Sequence, residues 1–295
     1  MKHKIIFMKA IKRLLKKSNL LVSLVHRAQK NIRILKTLWS INFIKTIYVN
    51  FKTQSFRNAL KLPIHIYGKL KIRTLSGHIL VDAPIYFGKI KLGYNTEYFS
   101  ASKGSAVLSV PGTLHFRGRF IASIDCTISS SGILEFGDLS RIGNGVKIAC
   151  RNHISIGKGS GIALDSQIYD TNFHYTREVK TGLVRKNAAP IIIGNFCWIG
   201  NRSTIMKGTI LPDYAIVAGN SLCNKDYTNG APAYPVIAGT PAKIIGEGVT
   251  RIFDYEEECK IDAFFAEHPD EETYMSYPGV KDESDQIARI FDQHP

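Results

Sequence analysis

Cysteines are few and badly placed for pairing: the five (Cys126, Cys150, Cys197, Cys223 and Cys259) are odd in number, far apart and without a CxxC pair. Neither a disulfide framework nor a zinc site is encoded, and a reducing, cytoplasmic setting fits best. There is no HExxH and no clustered His/Cys, so no metal is expected. Gly-rich phosphate loops are missing too, with no GxxxxGK[ST] and no GxGxxG opening a helix, which excludes the common nucleotide-binding signatures. Long apolar runs are absent from the N-terminus. "MKHKIIFMKAIKRLLKKSNLLVSLVHRAQK" breaks after four or five apolar residues and no small-residue cleavage site follows, so neither a signal peptide nor a membrane span is expected.

Negative charge is missing from one end. Residues 1–81 hold no Asp or Glu, whereas the region after about residue 250 is strongly acidic, within a net charge of +15. Apolar residues recur at three- and four-residue intervals (Ile11, Leu14, Leu15; Ile34, Leu38, Ile41) between Lys and Arg, a basic amphipathic helical pattern over residues 1–58. Two readings stand: a helix lying at an anionic membrane surface, or a helical cap packed on the rest of the protein. Nucleic acid is not an expected partner, because the segment lacks a reader motif and charge alone is sequence-indifferent. The acidic tail, 248–295, carries the pattern of one or two short helices.

From about residue 60 the chain turns to β-branched and aromatic residues punctuated by glycine, which reads as successive short strands with tight corners. Then the spacing becomes strict. Phe136, Ile142, Ile148 and Ile154 lie six apart; after a two-residue slip, so do Ile156, Ile162 and Ile168; and further on Ile193, Ile199, Ile205, Leu211 and Val217. A six-residue repeat indicates a parallel β-helix, in which three hexads make one triangular coil and the first residue of each points inward. Gly, Asn or Asp near the corners supply the positive φ that turns the chain. The predicted fold is an all-β core over 59–247, a left-handed parallel β-helix with a basic helical segment before it and a short acidic helical tail after it.

The run is interrupted by "IYDTNFHYT" (168–176). Farther along, "CWIGNRSTIMKGTILPDYAIVAGNSLCNKDY" and "VIAGTPAKIIG" resemble the C-terminal half of the hexapeptide-repeat acyltransferases, which include galactoside and maltose O-acetyltransferases and O-acetyltransferases of surface-polysaccharide synthesis. The resemblance covers roughly residues 136–247. It implies a homotrimer, acetyl-CoA as acyl donor in the cleft between neighbours, a saccharide acceptor, and a loop, here about 169–192, that carries a catalytic histidine into the cleft. His174 looks like that histidine, and the chemistry needs one. A sugar hydroxyl is a poor nucleophile until an imidazole accepts its proton, help worth about 10²- to 10⁴-fold in rate.

Asp170 is the second catalytic candidate, open between orienting His174, binding a sugar hydroxyl and capping the loop, and Asn172 and His153 are candidates for substrate contact. Trp198 matches an aromatic that lines the pantetheine or adenine side of the cleft, and Asn201 and Gly219 match positions that meet the pantetheine amides. Asn224, Lys225 and Lys243 match polar and basic positions near the nucleotide phosphates, where cationic side chains suit an anionic coenzyme. Two departures stand out: the link "TNGAPAYP" is longer than usual and carries Tyr234, and Pro212 replaces the usual glycine. The alternatives are an amino-sugar or antibiotic acceptor, or a non-catalytic β-helical scaffold.

Overall fold

The computed structural model describes residues 38–94, 106–276, 284, 286–288 and 291. Two units are distinguished, residues 1–41 with 294–295, and residues 42–293. Of the expected helical stripe, Ile11, Leu14, Leu15 and Ile34 lie outside the described residues, while Ile41 is buried. In the larger unit, three parallel sheets of nine, seven and six strands form a three-sided prism, the left-handed parallel β-helix predicted by the hexads. As far as Leu222–Cys223, consecutive strands of the chain fall on successive faces, so each face pairs a strand with the one three positions later.

The register explains the spacing. On the nine-stranded face Ala122, Ile142, Ile162, Ile199 and Val217 stack one above another. Ile128, Ile148, Ile168 and Ile205 do so on the seven-stranded face. On the six-stranded face Phe116, Phe136, Ile156, Ile193 and Leu211 form the column. All twelve positions singled out by the periodicity are buried. The two-residue slip has a simple cause: the strand His153–Ile156 turns both Ile154 and Ile156 inward, so the early coils are twenty residues long and those after the interruption eighteen. The widened early coils are filled by Phe116, Phe120 and Phe136, whose rings lie 4.2–5.7 Å apart.

A stack of parallel strands has two open edges, and each is closed differently. At the C-terminal end the strand Val236–Gly239 folds back into Ala242–Gly246 as the single antiparallel pair among the described strands. At the N-terminal end lies helix α1 (Phe43–Thr53), capped by Asn42, whose side chain accepts from the Lys45 amide. Its polar side chains do the closing. Asn50 donates to the Ile64 carbonyl (2.7 Å) and accepts from the Ile64 amide (3.1 Å), and the Thr46 hydroxyl accepts from the Ile66 amide (3.0 Å). The asparagine amide thus imitates the next strand. A second, four-residue helix, α2 (Phe56–Ala59), follows. The compact unit therefore starts at Asn42, ahead of the expected boundary at 59, because α1 is hydrogen-bonded to the first coil.

The tail forms helix α3 (Tyr255–Glu267), and further helical residues follow at 284, 286–288 and 291. Ile287 and Phe291 are buried, and the Arg119 guanidinium lies 5.8 Å from the Phe291 ring. The acidic tail therefore returns to the prism.

Candidate active site

The interruption is an arm. The strands Gln167–Tyr169 and Ile191–Ile193 take its expected ends, leaving residues 170–190 as the excursion. Antiparallel bridges join Thr171 to Ala188 and Arg177 to Val184, so the arm is a narrow two-sided projection. It leaves the prism at the edge between the seven- and six-stranded faces. Every residue from 172 to 186 is exposed, including apolar Val179 at 95 %. His174 and Asn172 stand on this arm, joined by a hydrogen bond from the His174 amide to the Asn172 carbonyl (2.7 Å).

Asp170 sits at the root of the arm and is fully buried. Where the arm departs, the ladder from the preceding coil loses its partner strand, and backbone amides there need acceptors. The Asp170 carboxylate supplies them. Oδ1 accepts from the Arg151 amide (2.8 Å) and Oδ2 from the Asn152 amide (2.7 Å), while the Asp170 carbonyl accepts from Ala189 (3.0 Å). The hydrogen bonds of this carboxylate hold the base of the arm, and among the described residues none goes to the His174 ring.

His153 begins a six-stranded-face strand immediately after that corner. Its Nε2 lies 2.9 Å from Glu135 Oε2, and Glu135 also bonds Arg117. His115 continues the line, 2.7 Å from Asp82 and 3.5 Å from Glu135. Burial alone would push the Glu135 carboxyl up, but the bonds from His153 and Arg117 outweigh it and hold it below the ordinary range. His153 is thereby tied along its own face.

The cleft lies at another edge of the prism, between the nine- and seven-stranded faces. It encloses about 450 Å³ and is lined by Leu164, Trp198, Gly200, Asn201, Arg202, Gly219 and Asn220. Asp165, Arg202 and Asn220 turn successive coils at this edge with φ of 56–59°. The positive φ of Arg202 and Asn220 sets both in the cleft wall, one coil apart. Gly200 belongs to coil packing rather than to a ligand, since a Cβ there would lie 2.6 Å from the Gly219 amide nitrogen. Of the residues expected to contact the donor, Trp198, Asn201 and Gly219 meet in this cleft. Asn224, Lys225 and Lys243 lie outside its lining, with Lys225 Nζ 5.3 Å from the Tyr227 ring.

Arg251 enters from beyond the repeats. Its guanidinium lies 5.3 Å from the centre of the Trp198 ring and 5.9 Å from that of Phe253. A Cβ at Gly161 would lie 3.3 Å from Arg141 Nε and 3.9 Å from Arg251 Nη1, so the two guanidinium groups share the space this glycine leaves open. Burial, with Arg251 next, lowers the Arg141 pKa to about 10, and Glu258 opposes the shift.

No family model matches the chain. Among curated proteins, "Putative lipopolysaccharide biosynthesis O-acetyl transferase WbbJ" of Escherichia coli K12 is 28 % identical over 145 residues, covering 45 % of this chain and 71 % of that one. The polysialic acid O-acetyltransferase of Neisseria meningitidis is 33 % identical over 84 residues, 28 % of this chain and 39 % of its own. "Putative colanic acid biosynthesis acetyltransferase WcaF" of E. coli K12 is 29 % identical over 116 residues, 39 % and 59 %. The chain resembles polysaccharide O-acetyltransferases. It spans less than two thirds of the second and third of these relatives. Among solved structures, that of the polySia specific acetyltransferase NeuO aligns with 73 % of this chain and 91 % of its own, at 15 % identity and a TM-score of 0.48.

Around the cleft, Leu164, Arg202, Asn220 and Arg251 were not singled out from the sequence. The first three were accessible in it. Arg202 and Asn220 occupy the corner position of the hexad phase that also holds Asp125, Gly145 and Asp165, all with positive φ. Arg251 lies outside the repeats, and no periodicity connects it with Trp198.

Proposed function

We propose that the chain is an O-acetyltransferase that moves an acetyl group from acetyl-CoA to a saccharide hydroxyl in surface-polysaccharide biosynthesis. The observation that carries the reading is the cleft, where Trp198, Asn201 and Gly219 meet with Arg202 and Asn220. Their chemistry fits an acyl donor with amides along its arm and phosphates at its end. Asn201 and Asn220 offer amide donors and acceptors, and Arg202 offers a fork for phosphate.

His174 acts as general base. Its imidazole takes the proton of the acceptor hydroxyl as that oxygen attacks the thioester carbonyl; the carbon–sulfur bond then breaks, and the proton passes to the departing thiolate, leaving an ester and free coenzyme thiol. A covalent acyl-enzyme is not needed. The thiols of Cys150, Cys197 and Cys223 are pushed by burial up to about 12, 12 and 11, which keeps them protonated and poorly nucleophilic near neutral pH.

The active unit in this reading is a homotrimer. The arm and the cleft stand at opposite edges of the seven-stranded face, and residues 172–186 project away from their own prism. Threefold association lets the arm of one copy close the cleft of the next, so each site draws on two chains. Asp170 is then a positioning residue, and Asn172 and His153 are contacts for the acceptor. Asn224, Lys225 and Lys243 are retained as second-rank contacts for the phosphate end of the donor.

The test is release of coenzyme thiol from acetyl-CoA with an oligosaccharide panel as acceptors, with product mass read by spectrometry. A 42 Da gain on an alkali-labile ester is expected, and His174→Ala lowers turnover by about 10²- to 10⁴-fold. Undiminished turnover in that variant contradicts the role given to His174.

A further inference from the structure

Helix α1 is turned the opposite way from an ordinary cap. Its buried residues are Thr46, Val49 and Asn50, two of them spent on the backbone of the first coil. Apart from Val49, its apolar residues point away from the prism. Ile44 is 84 % exposed, and Ile47, Tyr48 and Phe51 are exposed as well. Helix α2 extends the same character with Phe56 and Leu60, and the Phe51 and Phe56 rings meet edge to face at 5.9 Å. A helix that closes a sheet edge and leaves its large apolar side chains in water needs something apolar on its outer side.

The charge around these residues says what that is. Lys52, Arg57 and Lys61 are exposed within and beside the two helices. No acidic residue precedes Asp82, and eighteen of the 39 Lys and Arg of the chain lie within residues 1–81. Apolar side chains flanked by lysine and arginine, with no carboxylate among them, match a bilayer rich in anionic headgroups. Helix α1 has eleven residues and so is about 16 Å long. Among the described residues no helix is long and apolar enough to cross a membrane. Contact by α1 and α2 is therefore contact at the surface.

We propose that the N-terminal end of the prism is a docking surface for an anionic lipid bilayer, into whose headgroup region α1 and α2 insert Ile44, Ile47, Tyr48, Phe51, Phe56 and Leu60. Lys52, Arg57 and Lys61 lie at the headgroup level. This inference does not depend on the acetyltransferase reading, because binding is measured without turnover.

The experiment is sedimentation of the full chain with vesicles of phosphatidylcholine, with or without phosphatidylglycerol. The wild type is expected to sediment with the anionic vesicles and to remain in solution with the neutral ones. The pair Ile44→Glu and Phe56→Glu should partition at least about tenfold more weakly while keeping the wild-type unfolding midpoint. If that pair unfolds, Ile44→Ser with Phe56→Ser serves in its place. The triple change Lys52→Glu, Arg57→Glu, Lys61→Glu should abolish the preference for anionic lipid. Undiminished sedimentation of the folded apolar variants overturns the proposal. So does a wild type that ignores vesicles and instead forms an oligomer in sedimentation velocity that Ile44→Glu disperses, which would make this face a contact between copies.

Discussion

Asp170 Oδ2 accepts a hydrogen bond from the backbone amide of Asn152 at 2.7 Å, across the corner where the arm leaves the prism. The other oxygen takes the neighbouring Arg151 amide, so one buried carboxylate replaces two rungs of the ladder. Hydrogen bonds to a charged group are worth roughly 1.5–3 kcal/mol each, and amides left without an acceptor add desolvation cost. Asp170→Ala should therefore destabilise the protein by about 3–5 kcal/mol in denaturant titration, with Asp170→Asn in between. The arm should also loosen, so trypsin should cut at Arg177, Lys180, Arg185 or Lys186 faster in Asp170→Ala than in the wild type. Equal cleavage would mean that the arm is held by other contacts.

A pH effect is expected at the other end of the molecule. His65 is 2 % exposed, with the Phe87 ring 4.2 Å away edge to face, Tyr67 Oη 3.5 Å from Nδ1 and Lys91 nearby; its Nε2 is without a partner among the described residues. Burial, and then Lys91, lowers its pKa from 6.5 to about 4. Between those values the unfolded chain binds a proton that the folded one refuses, so stability rises with pH there. The contribution is complete above pH 6.5 and is lost as pH falls toward 4, by about 3 kcal/mol. His65→Phe should flatten this part of the stability profile. A variant that keeps the wild-type slope between pH 6.5 and 4 would contradict the assignment.

How much of this was legible in the sequence follows from what repeats. Ile142, Ile162, Ile199 and Val217 could be placed in one inward column because each hexad faces the same environment, and the slip at Ile154 and Ile156 was visible as two extra residues. The arm was legible as an interruption of that period. The bonds of Asp170 were not, because they are set by a break in the ladder that exists only in three dimensions. Helix α1 was legible only as part of a basic helical segment; which side would meet the prism depended on Thr46 and Asn50 reaching an open strand edge. The cation–π contact of Arg251 with Trp198 joins residues that no short-range pattern connects.

The proposed composite site makes the sharpest prediction, since it assigns the histidine and the cleft of one reaction centre to different chains. Two inactive proteins are co-expressed: His174→Ala, and the pair Trp198→Ala with Arg202→Glu. Coenzyme thiol release is then measured on the purified mixed oligomers. With random assembly, one site in four joins an intact arm to an intact cleft, so activity should return to about a quarter of wild type. Mixed oligomers as inactive as their parents would contradict the account.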